Sequence, residues 1–179
     1  MKNKLMVLVI SFILLISTAC TIGNTPTSAT ERLLSKYNMN DQEIIVELDD
    51  YVNESSLTEE QSKKYKDIYL KQFKDMKYEI KEEKIDGNTA TVTAQITVYD
   101  YYNAEKDAND YLANNADEFK SNDTYDESLF TDYKLKKLEE VNETVDYTID
   151  FSLTKIDNEW VLNDLTKEQL EKIHGVYEY

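Results

Sequence analysis

Between Thr89 and Val98 every second residue is apolar: Ala90, Val92, Ala94, Ile96 and Val98 alternate with Thr89, Thr91, Thr93, Gln95 and Thr97. Strict period-two alternation of this length means a strand with one face buried and the other wet. The pattern returns downstream, where Val145, Tyr147, Ile149, Phe151 and Leu153 share one face and Asp146, Thr148, Asp150, Ser152 and Thr154 the other. Each strand has a hairpin partner. Ile85-Asp86-Gly87-Asn88 turns the first back onto Tyr78–Ile85, and Asp157-Asn158 turns the second into Trp160–Leu162. An antiparallel sheet with one apolar face has to cover it with something.

Helices are the expected cover. Asn40-Asp41-Gln42-Glu43 reads as a capping box, stapled by Met39 and Ile44, ahead of Ile44, Ile45, Leu48, Tyr51 and Val52 at helical spacing. Thr58 and Gln61 make a second box, opening a helix through Met76 with Tyr65, Ile68, Tyr69, Phe73 and Met76 on one core-facing stripe. Ala104–Phe119 and Glu127–Glu140 read as helices joined by polar Ser121–Asp126. Thr166 and Gln169 box a last helix, with Leu165 and Leu170 as staple and Gly175 as stop.

The order is helices, hairpin, helices, hairpin, helix. It predicts a single α+β domain over residues 31–179, with an antiparallel sheet of about four strands in two hairpins packed against helices. In the runs Ile85-Asp86-Gly87-Asn88-Thr89-Ala90-Thr91-Val92, Tyr147-Thr148-Ile149-Asp150-Phe151 and Ile156 to Leu165, the chain resembles uncharacterised Gram-positive bacterial lipoproteins with NTF2-like or cystatin-like rolls. The resemblance covers Tyr78–Leu165 and brings no catalytic motif. It implies a cavity under the helices, and the stretch Asn103–Glu140 departs from the simplest roll.

The N-terminus reads as an address. Lys2 and Lys4 precede an apolar run, Leu5–Ile16, which is shorter than the roughly 20 residues a spanning helix needs. Positive charges before it and small residues after it mark a secretory signal over residues 1–19. Ser17-Thr18-Ala19-Cys20 resembles a bacterial lipobox, with Ser17 where leucine is commonest. The resemblance implies cleavage between Ala19 and Cys20 by signal peptidase II, and diacylglycerol on the Cys20 sulfur with further acylation by palmitate-like chains. Two acyl chains, at about 0.8 kcal/mol per buried methylene, hold a protein on a membrane. An ordinary secretory signal or an uncleaved anchor is the alternative. Thr21–Thr30 is uncharged, with Ser, Thr, Asn, Gly and Pro, and reads with Cys20 as a flexible tether. The expected location is the outer face of the cell membrane, with the bilayer itself as first partner.

Composition removes other functions. Three glycines, at 23, 87 and 175, are too dispersed for a phosphate loop. One cysteine and one histidine exclude an internal disulfide, a C-x-x-C zinc site and an H-E-x-x-H pair. With 36 acidic against 20 basic residues the chain is a poor match for nucleic acid. No cofactor is expected.

For chemistry the sequence offers little. The inward positions of both long strands are aliphatic or aromatic, with Tyr147 as the one polar tip, and Asp100 continues the inward register just beyond Val98. Asp100 is either a base at a cavity mouth or the cap of the following helix. His174 in the last helical turn suits a favourable interaction with the helix C-terminus. Asp107, Asp110, Asp117 and Glu118, then Asp123, Asp126 and Glu127, are acidic clusters without the EF-hand glycine or spacing, so no metal site is expected. The chain holds 14 tyrosines against 5 phenylalanines. Tyr99, Tyr101, Tyr102, Tyr111, Tyr125 and Tyr133 gather in or near the long insertion, either replacing phenylalanine in strand and helix packing or forming a binding surface. On the second reading Tyr99, Asp100, Tyr101, Tyr102 and Tyr147 are the expected ligand surface. The expected role is a non-enzymatic domain binding a small ligand, wall component or surface protein. The alternative is a small NTF2-like hydrolase or lyase using the cavity with Asp100 and Tyr147.

Overall fold

A computed structural model describes residues 23–179; the signal sequence, Ala19 and Cys20 lie outside the described residues. Three helices come first: α1 (Pro26–Asn38), α2 (Gln42–Glu54) and α3 (Glu59–Asp75). Then follow strands β1 (Lys77–Asp86) and β2 (Thr89–Tyr99), helix α4 (Tyr101–Asn114) and a 3-10 turn (Ala116–Phe119). A small ribbon, β3 (Lys120–Ser121) with β4 (Thr124–Tyr125), leads into α5 (Glu127–Glu139). Strands β5 (Thr144–Ile156) and β6 (Glu159–Leu162) and helix α6 (Lys167–His174) complete the chain. Among the described residues no helix is long and apolar enough to cross a membrane.

Three long strands and the short β6 form one antiparallel sheet in the order β1-β2-β5-β6, and helices cover one face of it. This is the α+β architecture that the sequence predicts. All five even positions of β2 are buried, with Val92, Ala94 and Ile96 fully inaccessible, and Tyr147, Ile149, Phe151 and Leu153 of β5 meet them in register. On the wet face the strands satisfy one another. Thr93 Oγ1 donates to Asp150 at 2.6 Å and Gln95 Nε2 to Asp146 at 2.9 Å.

The turns follow residue chemistry. Gly87, at φ +59°, and Asn88 connect β1 to β2, one residue later than the Asp86-Gly87 pair the sequence suggests. Asp157 and Asn158 both take positive φ (49° and 70°), as a type I′ hairpin demands. Thr58 and Thr166 form full capping boxes with Gln61 and Gln169.

Three expectations need correction. The flexible tether does not extend to Thr30: helix α1 begins at Pro26, because Thr25 and Ser28 build a capping box and proline is pre-set for a first helical position. Pro26, Ala29 and Thr30 are buried, the Thr30 hydroxyl bonding back to the Pro26 carbonyl at 3.1 Å. Secondly, α2 is capped by Asp41 rather than Asn40, which turns the chain at φ +49°; Met39 is 75% exposed and staples nothing. Thirdly, the expected helix Ala104–Phe119 starts earlier and stops at Asn114, so that Phe119 can fold back with Ala108 and Phe130 into a second small core.

Candidate functional site

The space between sheet and helices is occupied by side chains. Val92, Ile96, Phe151, Leu153, Leu34, Phe73 and Ile173 are each no more than 1% exposed there. The expected ligand cavity beneath the helices is thus filled by core at these positions.

The five residues expected to form a ligand surface are mostly engaged within the fold. Asp100 is the N-cap of α4 and accepts from the Asn103 backbone at 3.2 Å, Asn103 Nδ2 at 2.7 Å and the Tyr179 hydroxyl at 2.7 Å. It is 8% exposed. Tyr101 is buried, its hydroxyl donating to the Ile68 carbonyl at 3.3 Å. Alanine there would open the core, so Tyr101 cannot serve as a surface probe. Tyr99 donates to Asp75 at 2.8 Å, and Tyr147 to the Tyr177 carbonyl at 2.8 Å. Tyr102 is half-buried with its ring 6.0 Å from that of Tyr179. Asp100, Tyr102 and Tyr147 therefore do converge, beneath a C-terminal tail that sequence periodicity could not place. The hydrogen bond to Asp100 raises the Tyr179 phenol above its ordinary value, and burial does the same for Tyr147 and Tyr101. None of the three is an activated phenolate at neutral pH.

His174 is also reassigned. Its ring lies 5.5 Å from Tyr69 and 5.4 Å from Phe73, and burial pushes its pKa down to about 4. It is a neutral aromatic wedge, and the expected cationic interaction with the helix end is absent at neutral pH. The acidic clusters are dispersed: Asp110 pairs with Lys106, Asp117 with Lys120, Glu118 accepts from Tyr111, and Asp126 caps α5. Among the described residues no three His, Cys, Asp or Glu side chains converge as a metal site.

Several open clefts remain, one of them lined by Asp100, Asn103, Tyr111 and Tyr133; the one with the most aromatic lining lies on the helical layer. A cleft of about 350 Å³ between α2, α3 and α5, with Glu105 of α4, is lined by Tyr51, Tyr65, Tyr69, Glu105, Thr131 and Lys134 among others. Tyr51 and Tyr65 stack with centroids 4.8 Å apart and planes 19° from parallel, and Tyr65 meets Tyr69 at 4.5 Å. The outermost ring, Tyr51, is 53% exposed, whereas Tyr69 is 4% exposed and packs on Tyr101 and His174. The row is backed by the core at Tyr69 and presents one aromatic face to solvent beside a carboxylate and an ammonium 3.9 Å apart, Glu105 and Lys134. The sequence places Tyr51 on the core stripe of α2 and Tyr65 and Tyr69 on that of α3; that the three rings line up and surface at Tyr51 depends on how α2 meets α3.

Fold and cleft together define an α+β domain with surface clefts on its helical layer. No family model matches the chain, and no curated protein matches it. Among solved structures it is similar to the crystal structure of a protein classed as a lipoprotein, YcdA from Bacillus subtilis subsp. subtilis str. 168, at 15% identity and a TM-score of 0.40. The match covers 83% of this chain and 46% of that one, so the chain spans less than half of its length. A superposition this loose transfers neither fold nor role.

Proposed function

We propose that this protein is a membrane-anchored extracytoplasmic lipoprotein whose NTF2-like or cystatin-like roll serves as a non-enzymatic binding module. The anchor is Cys20, on the strength of the apolar run, small residues and lone cysteine in the first twenty positions. The ligand surface is the tyrosine cleft, and the observation that carries it is the Tyr51–Tyr65–Tyr69 row, continuous with the core and open at one end. Aromatic faces flanked by hydroxyls and a charged pair suit a wall glycan or a small polar ligand that offers a ring or CH face for stacking. The hydrolase or lyase alternative has less support, because Asp100 and Tyr147 are spent on bonds inside the fold.

Two measurements test the reading. Intact mass of the native chain should show an acylated Cys20, and Cys20→Ser should release the protein from membranes; an unmodified native chain refutes the anchor. Cell-wall glycan fragments should bind the purified protein and lose at least tenfold in affinity with Tyr51→Ala. Affinity unchanged by that substitution refutes the cleft.

A further inference from the structure

The chain leaves the domain at one end of the sheet, and that end is fixed by hydrogen bonds. Asn24 Nδ2 donates to the Asn158 carbonyl at 2.8 Å, and the Trp160 amide donates to Asn24 Oδ1 at 3.2 Å. Gly23 is held as well, its carbonyl accepting from Arg32 at 2.9 Å. Asn24 is therefore bound to the tip of the β5–β6 hairpin. The β1–β2 tip lies alongside, since the Lys155 amide donates to the Asn88 carbonyl at 2.8 Å and Thr89 pairs with Thr154. The other end of the sheet, where Tyr99 pairs with Thr144 and the Asp100 amide bonds the Glu143 carbonyl, is about 33 Å away along β2 at 3.3 Å per residue.

Four peptide links separate Cys20 from Asn24, a span of at most about 14 Å when fully extended. We infer that the two hairpin tips form the face this domain turns toward the bilayer, and that the Asp100–Glu143 end is presented outward. The inference rests on the lipid anchor at Cys20.

Apolar exposure at the tips points the same way, while charge is neutral between the two ends. From Cys20 onward 36 carboxylates face 18 basic side chains, because Lys2 and Lys4 precede that point. Lying flat would set the exposed Asp146 and Asp150 of the wet sheet face, with Glu79 and Glu82 beside them, against lipid headgroups. The tips, residues 83–88 and 155–159, carry four carboxylates and two lysines, the same two-to-one balance as the rest of the chain. Each tip also exposes an isoleucine within two residues of its turn, Ile85 at 54% and Ile156 at 52%. Isoleucine at that height gains by entering the interfacial region, as apolar residues on surface-bound elements do.

The test uses the single cysteine and the single tryptophan. The chain beginning at Cys20 is coupled through that thiol to maleimide lipid in phosphatidylcholine vesicles containing dansyl-phosphatidylethanolamine, and energy transfer from Trp160 is measured. Transfer from Trp160 should exceed, several-fold, that from Glu143→Trp in a Trp160→Phe background. Equal transfer, or stronger transfer from position 143, overturns the inference. A second measurement needs no substitution: nitroxide headgroups in nanodiscs should broaden the amide signals of Gly87, Asn88, Asp157 and Asn158 and spare Glu143 and Thr144. Uniform broadening overturns the inference equally. Coupling to maleimide lipid fixes the Cys20 sulfur whether or not cells acylate it, so a failed orientation and a failed anchor give different results.

Discussion

Gln72 donates through Nε2 to the His174 carbonyl at 2.9 Å and accepts from the Tyr99 amide at 2.8 Å, so one fully buried amide joins α3, the end of β2 and the last residue of α6. These elements meet nowhere in sequence. A buried backbone group that loses its partner costs about 1–3 kcal/mol. Gln72→Leu, close in size but without polar atoms, strands the Tyr99 N–H and the His174 C=O together. The expected loss is about 2–4 kcal/mol, read from the urea midpoint at unchanged slope.

Gly175 closes the same junction from the other side. Its φ is +74°, its carbonyl accepts from the Tyr102 amide at 2.8 Å, and a Cβ there would collide with the Tyr99 carbonyl and the Gln72 amide. Left-handed backbone alone costs a side-chain-bearing residue about 1–2 kcal/mol. Gly175→Ala adds a clash with backbone, and the total should reach about 3 kcal/mol or more by denaturant titration. Gly87→Ala has a positive φ but open space around it and should cost about 1 kcal/mol.

His174 gives stability a pH dependence. Its pKa of about 4 in the fold lies below the ordinary value of 6.5, so between those limits the unfolded chain binds the extra proton. Stability from this group is complete above about pH 6.5 and falls as the pH drops through 4. At 1.36 kcal/mol per pH unit the loss amounts to about 3 kcal/mol. His174→Phe should flatten the stability profile between pH 6.5 and 4 relative to the parent; an unchanged profile would show that the ring titrates normally.

Tyr179 holds the tail over Asp100. Removing its hydroxyl with Tyr179→Phe deletes the 2.7 Å bond to Asp100 and the 2.9 Å bond from Asn103, on a residue that is itself 66% exposed. Solvent can replace part of both, so the expected cost is about 1 kcal/mol. Hydrogen exchange of the Asn103 amide should rise while that of the Ile149 amide in the sheet stays unchanged.

What could be read from the sequence was whatever repeats along the chain. The alternation in β2 and β5 identified every inward residue, and the boxes at Thr58 and Thr166 placed two helix starts to the residue. Helix α1 is hidden because its first turn, Pro26 to Thr30, has the composition of a linker; only Thr25 and Ser28 as a box, with Pro26 between them, signal it. Asp100 was legible as an alternative, since capping and catalysis ask for the same residue in the same place. Its partner Tyr179 lies 79 positions away, and no local pattern connects the two. The tyrosine cleft was half visible: the stripe was plain, but whether a stripe is core or surface is decided by the neighbouring helix. His174 does end α6 as its position suggests, but nothing local points to the rings of Tyr69 and Phe73 that pack against it.

Tyr99 and Thr144 sit side by side on adjoining strands, yet everything from Asp100 to Glu143 is strung between them and keeps a private cluster of Ala108, Phe119 and Phe130. Because doubling the length of a closed loop costs only about 0.6 kcal/mol, the exposed ribbon at its tip, residues 120–125, can be lengthened or trimmed by evolution while Tyr101, Leu135 and Leu138 keep their places in the main core. Whatever distinguishes one descendant of such a frame from the next has room to accumulate there first.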